Sequence, residues 1–194
     1  MNILDKIIAD KYKEVALRKQ LIPVKQLEQS VLFERRSPSL AQALSTSASG
    51  IIAEHKRRSP SKATINNNLN VQDVARGYEQ AGVCGMSVLT DGKYFGGSLD
   101  DLLLARAAAQ LPLLRKEFVI DTYQILEAKA YGADVILLIA AVLTREEIKT
   151  LSEFAKSLGL DVLLEVHNLE ELQKSVMPSL DMLGVNNRNL KTFE

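Results

Sequence analysis

The stretch "IIAEHKRRSPSK", Ile51 to Lys62, decides the architecture. Its apolar start reads as a strand. The strand finishes on an acid and a base, Glu54 and Lys56, ahead of a Ser-Pro-Ser turn. Side chains alternate along a strand, so Glu54 and Lys56 share one face while His55 points to the other. A face that turns charged only at its last residues suits a wall buried below and opening into a pocket above. The pattern returns in later apolar runs: Lys116 closes "LPLLRK", Glu165 sits near the end of "DVLLEV", and Asn186 near the end of "LDMLGVNN".

Helical segments separate these runs. After "GIIAEH" comes "VQDVARGYEQAG", a helix closed by Gly82. Then follow the strand "GMSVLTD", the helix "SLDDLLLARAAAQ", the strand "LPLLRK", and "DTYQILEAKAYG", a helix ending at Gly132. The strand "DVILLIAA" precedes "TREEIKTLSEFAKSLG", where Thr144 and Glu147 have the spacing of a capping box. The strand "DVLLEV", the helix "NLEELQKSV" with Asn168 as N-cap, and the strand "LDMLGVNN" complete the series. Strict alternation of strand and helix implies right-handed crossovers and a parallel sheet. An open doubly wound sheet and a (β/α)₈ barrel both fit. No G-x-G-x-x-G follows the first strand, so the dinucleotide fold loses its main signal. Polar groups at the C-terminal ends of several strands favour the barrel, whose active site is built there.

Ahead of Gly50, Ile3, Ile7, Ile8, Tyr12, Val15 and Leu17 recur at helical spacing, and "PVKQLEQSVL" offers a shorter helix. "RRSPSL" and "STSASG" read as loops. The expected organisation is a helical extension over 1–49 and a barrel over 50–194. Six strands are counted where a closed barrel has about eight. The expectation is therefore a partial barrel, C-terminally truncated after its sixth strand, with open first and sixth edges available for self-association.

Bulk properties narrow the class. With 194 residues, 46% of them hydrophobic, the chain can bury a core. Its 24 basic and 24 acidic residues balance, which argues against a nucleic-acid surface. A single cysteine rules out an internal disulfide, and with two histidines makes a structural zinc site a poor fit. No signal-peptide core and no bilayer-length apolar run is visible, so the expectation is a cytoplasmic protein with no membrane partner.

The candidate site is Glu54, Lys56, Lys116, Glu165, Asn186 and Arg188. Its plain alternative is a ring of salt bridges over the barrel mouth. Two lysines and two glutamates facing one another can supply both an acid and a base. "RRSPSK" reads either as a solvated basic loop or as an anion site, with Ser59 and Ser61 donating and Arg58 or Lys62 supplying charge. In the loop "TDGKYFGGS", Tyr94 and Phe95 are either packing or a wall for a flat substrate. His55 and His167 are read as structural, and Cys84 as a small apolar residue.

The motifs "IIAEHKRRSPSK", "SVLTDGKYFGGS", "LRKEFVID", "ADVILLIAA", "LLEVHNLEEL" and "LGVNNRNLKTF", in this order, resemble the indole-3-glycerol phosphate synthases. The resemblance implies a TIM barrel with an extra N-terminal helix, and a carbon–carbon lyase of tryptophan biosynthesis that needs no cofactor or metal. The implied substrate is 1-(2-carboxyphenylamino)-1-deoxyribulose 5-phosphate, closed to an indole with loss of CO₂ and water. By motif, Lys116 is the general acid and Glu165 the base or proton-transfer partner. Lys56 holds the substrate carboxylate until CO₂ leaves, with a second role as an acid left open between the two lysines. Glu54 positions Lys56 and the amine, and Asn186 and Arg188 hold the sugar hydroxyls and order the charged network. Ser59 donates to the phosphate, and Phe95, Phe118 and Leu137 line the anthranilate pocket. Ala63, Gly92, Glu117 and His55 depart from the usual pattern. The family's phosphate-site loops after strands seven and eight are not found, so the chain alone is expected to be inactive. The alternatives are a partial barrel acting only as a binding or assembly module, and a phosphosugar isomerase of the same fold.

Overall fold

The computed structural model describes residues 2–187. Three helices lead into the sheet: α1 (Ile3–Leu21), α2 (Val24–Glu28) and α3 (Leu40–Thr46). Asn2 and Asp5 form a reciprocal capping box that starts α1. The buried face of α1 carries Leu4, Ile7, Lys11 and Val15, a helical stripe with a lysine in it. Tyr123 Oη donates to the carbonyls of Arg18 and Ile22 and so satisfies the end of α1.

Six parallel strands follow, β1 (Ile52–His55), β2 (Gly85–Leu89), β3 (Leu113–Lys116), β4 (Val135–Ile139), β5 (Asp161–Val166) and β6 (Met182–Val185). They pair in sequence order in one sheet. The crossovers carry α4 (Val71–Gln80), α5 (Gly92–Phe95), α6 (Leu99–Ala108), α7 (Thr122–Ala130), α8 (Arg145–Ser157) and α9 (Leu169–Ser175). The Thr144–Glu147 capping box and the Asn168 N-cap form as the spacing predicts.

Strand parity divides the interior into two cores. Met86, Val88, Leu113, Ile136, Leu138, Val162 and Leu164 pack outward against α4, α6, α7 and α8. Leu114, Val135, Leu137 and Ile139 face inward, joined by Ile52, Leu163 and Met182. Successive residues of the all-apolar run Val135–Ile139 thus serve opposite layers, as in a sheet covered on both sides. The described strands form six units of a (β/α)₈ barrel wall.

The inner core has a floor whose two ends, at Leu40 and at Ser45 and Thr46, the sequence reading placed in loops. Residues 40–46 are helical, with Ser39 as N-cap. Ser39 Oγ and the Ala41 N–H both donate to Asp161 Oδ2 at the foot of β5, at 2.8 and 3.1 Å. Leu40, fully buried, joins Cys84, Leu114 and Val135 inside the sheet. A Cβ at Gly85 would lie 2.6 Å from Leu40 Cδ1 and 2.9 Å from the Pro112 carbonyl, so this close approach requires glycine.

Candidate active site

Four of the six inward-facing rows begin apolar and end polar, those of β1, β3, β5 and β6. Ile52 precedes Glu54, Leu114 precedes Lys116, Leu163 precedes Glu165, and Met182 leads through Gly184 to Asn186. Pairing places these ends side by side: Leu89 is in register with Lys116, and Ile139 with Glu165. The cavity at the C-terminal mouth is lined by Glu54, Lys56, Ser59, Lys116, Glu165 and Asn186, with Phe95, Phe118 and Leu137 as its apolar side.

The polar groups alternate in charge around the mouth. Lys56 Nζ donates to Glu54 Oε1 at 2.7 Å. Lys116 Nζ lies 3.9 Å from Glu54 Oε2 and donates to Glu165 Oε2 at 3.3 Å. Asn186 Nδ2 donates to Glu165 Oε1 at 3.0 Å. Ser87, opposite Glu54 in the ladder, reaches Glu54 Oε2 at 3.5 Å. The lysine and Glu54 side chains are about one-third exposed, within reach of a ligand, whereas Glu165 is nearly buried. Phe95 and Phe118 stand with ring centroids 6.0 Å apart and form an aromatic side suited to a flat ring.

Of the residues singled out from sequence, Glu54, Lys56, Lys116, Glu165, Asn186, Ser59, Phe95, Phe118 and Leu137 meet at this cavity. Arg188 lies outside the described residues. His55 is buried on the opposite face from Glu54, as parity requires. Leu89 and Ile139 also line the cavity and were not singled out. The inward parity they share with Ser87 and Leu137 was the available signal.

The basic loop after β1 fits neither of its two sequence readings fully. Arg57 grips both carboxylate oxygens of Asp101 and the Gly96 carbonyl. Arg58 donates to the carbonyls of Gly92 and Lys93 at 2.9 and 3.0 Å. Arg57 therefore clamps the β1 loop to α6 and Gly96, and Arg58 clamps it to the one-turn helix α5, instead of standing free for an anion. Ser59 remains at the cavity, in a tight turn where it exchanges backbone hydrogen bonds with Lys62. Tyr94, on the same turn as Phe95, points away and donates to Asp10 of α1 at 2.6 Å.

A second ionic cluster borders the same cavity, just past the ends of β2 and β3. Lys11 Nζ, on α1, lies 2.8 Å from Glu14, 3.0 Å from Asp91 and 3.0 Å from Glu117, and is almost fully buried. Glu117 directly follows Lys116 and also accepts from Thr90 Oγ1 and its neighbour's N–H. Burial works against ionising Glu117, but Lys11, Arg115 and these hydrogen bonds outweigh it and hold its pKa below the usual value. Burial likewise opposes the charge on Lys11, and Glu117, Asp91 and Glu14 more than offset it, raising that pKa. Among the described residues, no group of three or more His, Cys, Asp or Glu side chains is arranged to hold a metal ion. Among them, too, no helix is long and apolar enough to cross a membrane.

Comparison with known proteins identifies a family. The sequence profile of indole-3-glycerol phosphate synthase matches residues 4–194. The indole-3-glycerol phosphate synthase of Bacteroides thetaiotaomicron is 48% identical over 99% of this chain and 74% of its own length. That of Dechloromonas aromatica is 45% identical over 99% of this chain and 75% of its own. The Bordetella pertussis enzyme is 43% identical over the whole of this chain and 75% of its own. With identity at this level running from the first helix through every strand of the cavity wall, the chain belongs to the indole-3-glycerol phosphate synthase family.

Proposed function

We propose that this chain is a lyase that closes the indole ring of 1-(2-carboxyphenylamino)-1-deoxyribulose 5-phosphate, releasing CO₂ and water. The supporting observation is the row Lys56–Glu54–Lys116–Glu165, spanning 2.7 to 3.9 Å between neighbours, set against the Phe95–Phe118 side of one cavity. The reaction needs two protons delivered to the ketone oxygen, first to make it a hydroxyl and then to release it as water. It also needs one proton removed from the carbon beside the ring nitrogen. The electron pair that restores aromaticity comes from the bond to the departing carboxylate. A site for this chemistry needs ammonium donors, a carboxylate base and a cation for the substrate's acid group.

In this reading Lys116 protonates the ketone oxygen and Lys56 holds the anthranilate carboxylate. Glu54, between the two ammonium groups, keeps both in place. Glu165 takes the proton in dehydration, oriented by Asn186. Ser59 donates to the phosphate, with Arg188 on the sugar hydroxyls. Phe95, Phe118 and Leu137 hold the ring flat and exclude water, which aligns the reacting carbons. Biosynthetic chemistry of this kind fits a cytoplasmic setting.

The test is Lys116→Met, assayed for indole-3-glycerol phosphate formation in a version of the protein that carries all eight strands of the family's barrel. Loss of a general acid costs on the order of 10²–10⁴ in kcat. KM should change far less, because the ammonium acts on charge that develops during the reaction. Retention of more than half of the kcat would remove Lys116 from this role.

A further inference from the structure

Two residues beyond Glu165 lies His167, whose buried Nε2 has no hydrogen-bond partner and stands 3.7 Å from Glu165 Oε1. The other ring nitrogen is held. Nδ1 lies 3.2 Å from Glu171 Oε2, and the His167 backbone N–H donates to the same oxygen at 2.8 Å. Glu171 is itself fixed in the first turn of α9. Its N–H donates to Asn168 Oδ1 at 2.8 Å, and its Oε1 accepts from Asn168 Nδ2 at 3.1 Å. A carboxylate placed there accepts, so the ring hydrogen belongs on Nδ1.

That assignment has a consequence at the other nitrogen. In the neutral ring Nε2 is a lone pair, and it faces a carboxylate oxygen, another acceptor. Two acceptors meeting away from water gain nothing by approaching, which accounts for the 3.7 Å gap and the missing partner. One added proton turns the same geometry into a charge-assisted hydrogen bond. The charged groups around the pair are Lys116 of β3 with Glu54 of β1 behind it, and Glu171 of α9. β4 presents Leu137 and Ile139 to the cavity, and the β6 side presents Asn186.

We propose that His167 is a positioning residue that shares the proton taken by Glu165, with Glu171 fixing its tautomer. This rests on Glu165 being the base of the reaction. In the dehydration step the C–H bond beside the ring nitrogen breaks, and its electron pair becomes the ring double bond. The hydroxyl leaves with a lysine proton as water, and the C–H proton goes to Glu165. Held between Glu165 Oε1 and His167 Nε2, that proton leaves positive charge on the imidazole side, against Glu171. Glu165 then keeps carboxylate character toward Lys116, favouring return of the ammonium form before the proton passes to solvent.

The test has a spectroscopic arm and a kinetic arm, both on the full chain. Long-range ¹H–¹⁵N correlation reads the ring tautomers directly, and the chain has only two histidines, so His55 serves as internal reference. The expected result is Nδ1–H for the neutral ring of His167, switching to Nε2–H in Glu171→Ala, where Nδ1 loses its acceptor. An Nε2–H ring in the unsubstituted protein would overturn the proposal. In the kinetic arm, His167→Gln should lower kcat by about tenfold, below the loss expected for the group that moves the proton itself, with KM nearly unchanged. The low-pH limb of its kcat profile should also move. A wild-type profile for His167→Gln, beside an inactive Glu165→Gln, would overturn this inference alone. A fully active Glu165→Gln would overturn the base assignment, and the inference with it.

Discussion

At the scale of single residues, position along a strand determines what each side chain does. Glu54 and His55 are adjacent in the chain, yet one stands in the cavity and the other is buried among outward-facing groups. Burial pushes the His55 pKa below its ordinary 6.5, and the Arg57 charge adds to this against the weaker opposing pull of Asp101. A base depressed in the fold stays neutral there while the unfolded chain takes up a proton. Its contribution is intact above the ordinary value and is lost as pH falls through that value toward the folded pKa. His55→Leu removes this linkage. In urea titrations at about pH 7.5 and pH 5, the unsubstituted chain should lose more stability on acidification than the variant. Parallel losses would mean that His55 titrates normally in the fold. The alternation that separates these two residues is legible in sequence because it needs only the period of a strand. The same holds for Lys116, Glu165 and Asn186. The commitment of Arg57 and Arg58 to Asp101 and to the carbonyls of α5 is not legible, because those partners lie 34 to 44 residues away.

At the scale of elements, α1 is bound to the barrel by charge as well as by apolar contact. Its periodicity predicts a helix, and the helix forms, but a periodic pattern assigns lysine to the solvent side. Lys11 instead enters the stripe between Ile7 and Val15, because Asp91 after β2 and Glu117 after β3 are waiting there, along with Glu14 of α1 itself. Arg18 adds a second tie, to Glu127 of α7, which Arg115 of β3 also engages at 3.2 Å. Lys11→Met leaves Asp91 and Glu117 buried without their cation, and breaking a buried pair in this way costs about 3–5 kcal/mol. The sign with pH follows from the two shifts. The raised pKa of Lys11 keeps its contribution intact below the ordinary lysine value, lost only as pH climbs through the folded one. The lowered pKa of Glu117 keeps its contribution intact above the ordinary 4.5, lost as pH falls through the folded one. The deficit of Lys11→Met should therefore be largest near neutral pH and shrink in acid, where its carboxylates can take up protons. A deficit independent of pH would show that lost packing outweighs lost charge. The short helices α3 and α5 escaped the sequence reading for a different reason. With 7 and 4 residues they are too short to display a period, and their serine, glycine and aspartate flanks read equally well as turns.

At the scale of the molecule, the two ends of the strands have separate duties. Sheet order and parallel direction were legible because consecutive strands are neighbours and each crossover is a single βα unit. The floor was not, since nothing local in "SLAQALST" shows that Leu40 must enter a barrel. Leu40 meets the wall at Gly85, the first residue of β2, while the site is built level with Leu89 and Lys116. Four residues of strand at about 3.3 Å each put roughly 13 Å between floor and site. Leu40→Ala removes a fully buried side chain from a well-packed layer, which costs about 2–5 kcal/mol. The cavity it leaves borders Cys84, Leu114 and Val135, all on the inner face below the charged row. Close-packed layers transmit strain, but Lys56, Glu54, Lys116 and Glu165 are fixed mainly by one another. The floor substitution should therefore lower the urea midpoint clearly while kcat, measured where the variant is still folded, stays within about twofold. Lys116→Met should do the reverse, leaving the midpoint close to the original and removing turnover, as expected of a barrel whose C-terminal face reacts and whose opposite face stabilises. A folded Leu40→Ala protein with kcat reduced tenfold or more would refute that division. The inner core would then have to be treated as part of what positions the two lysines.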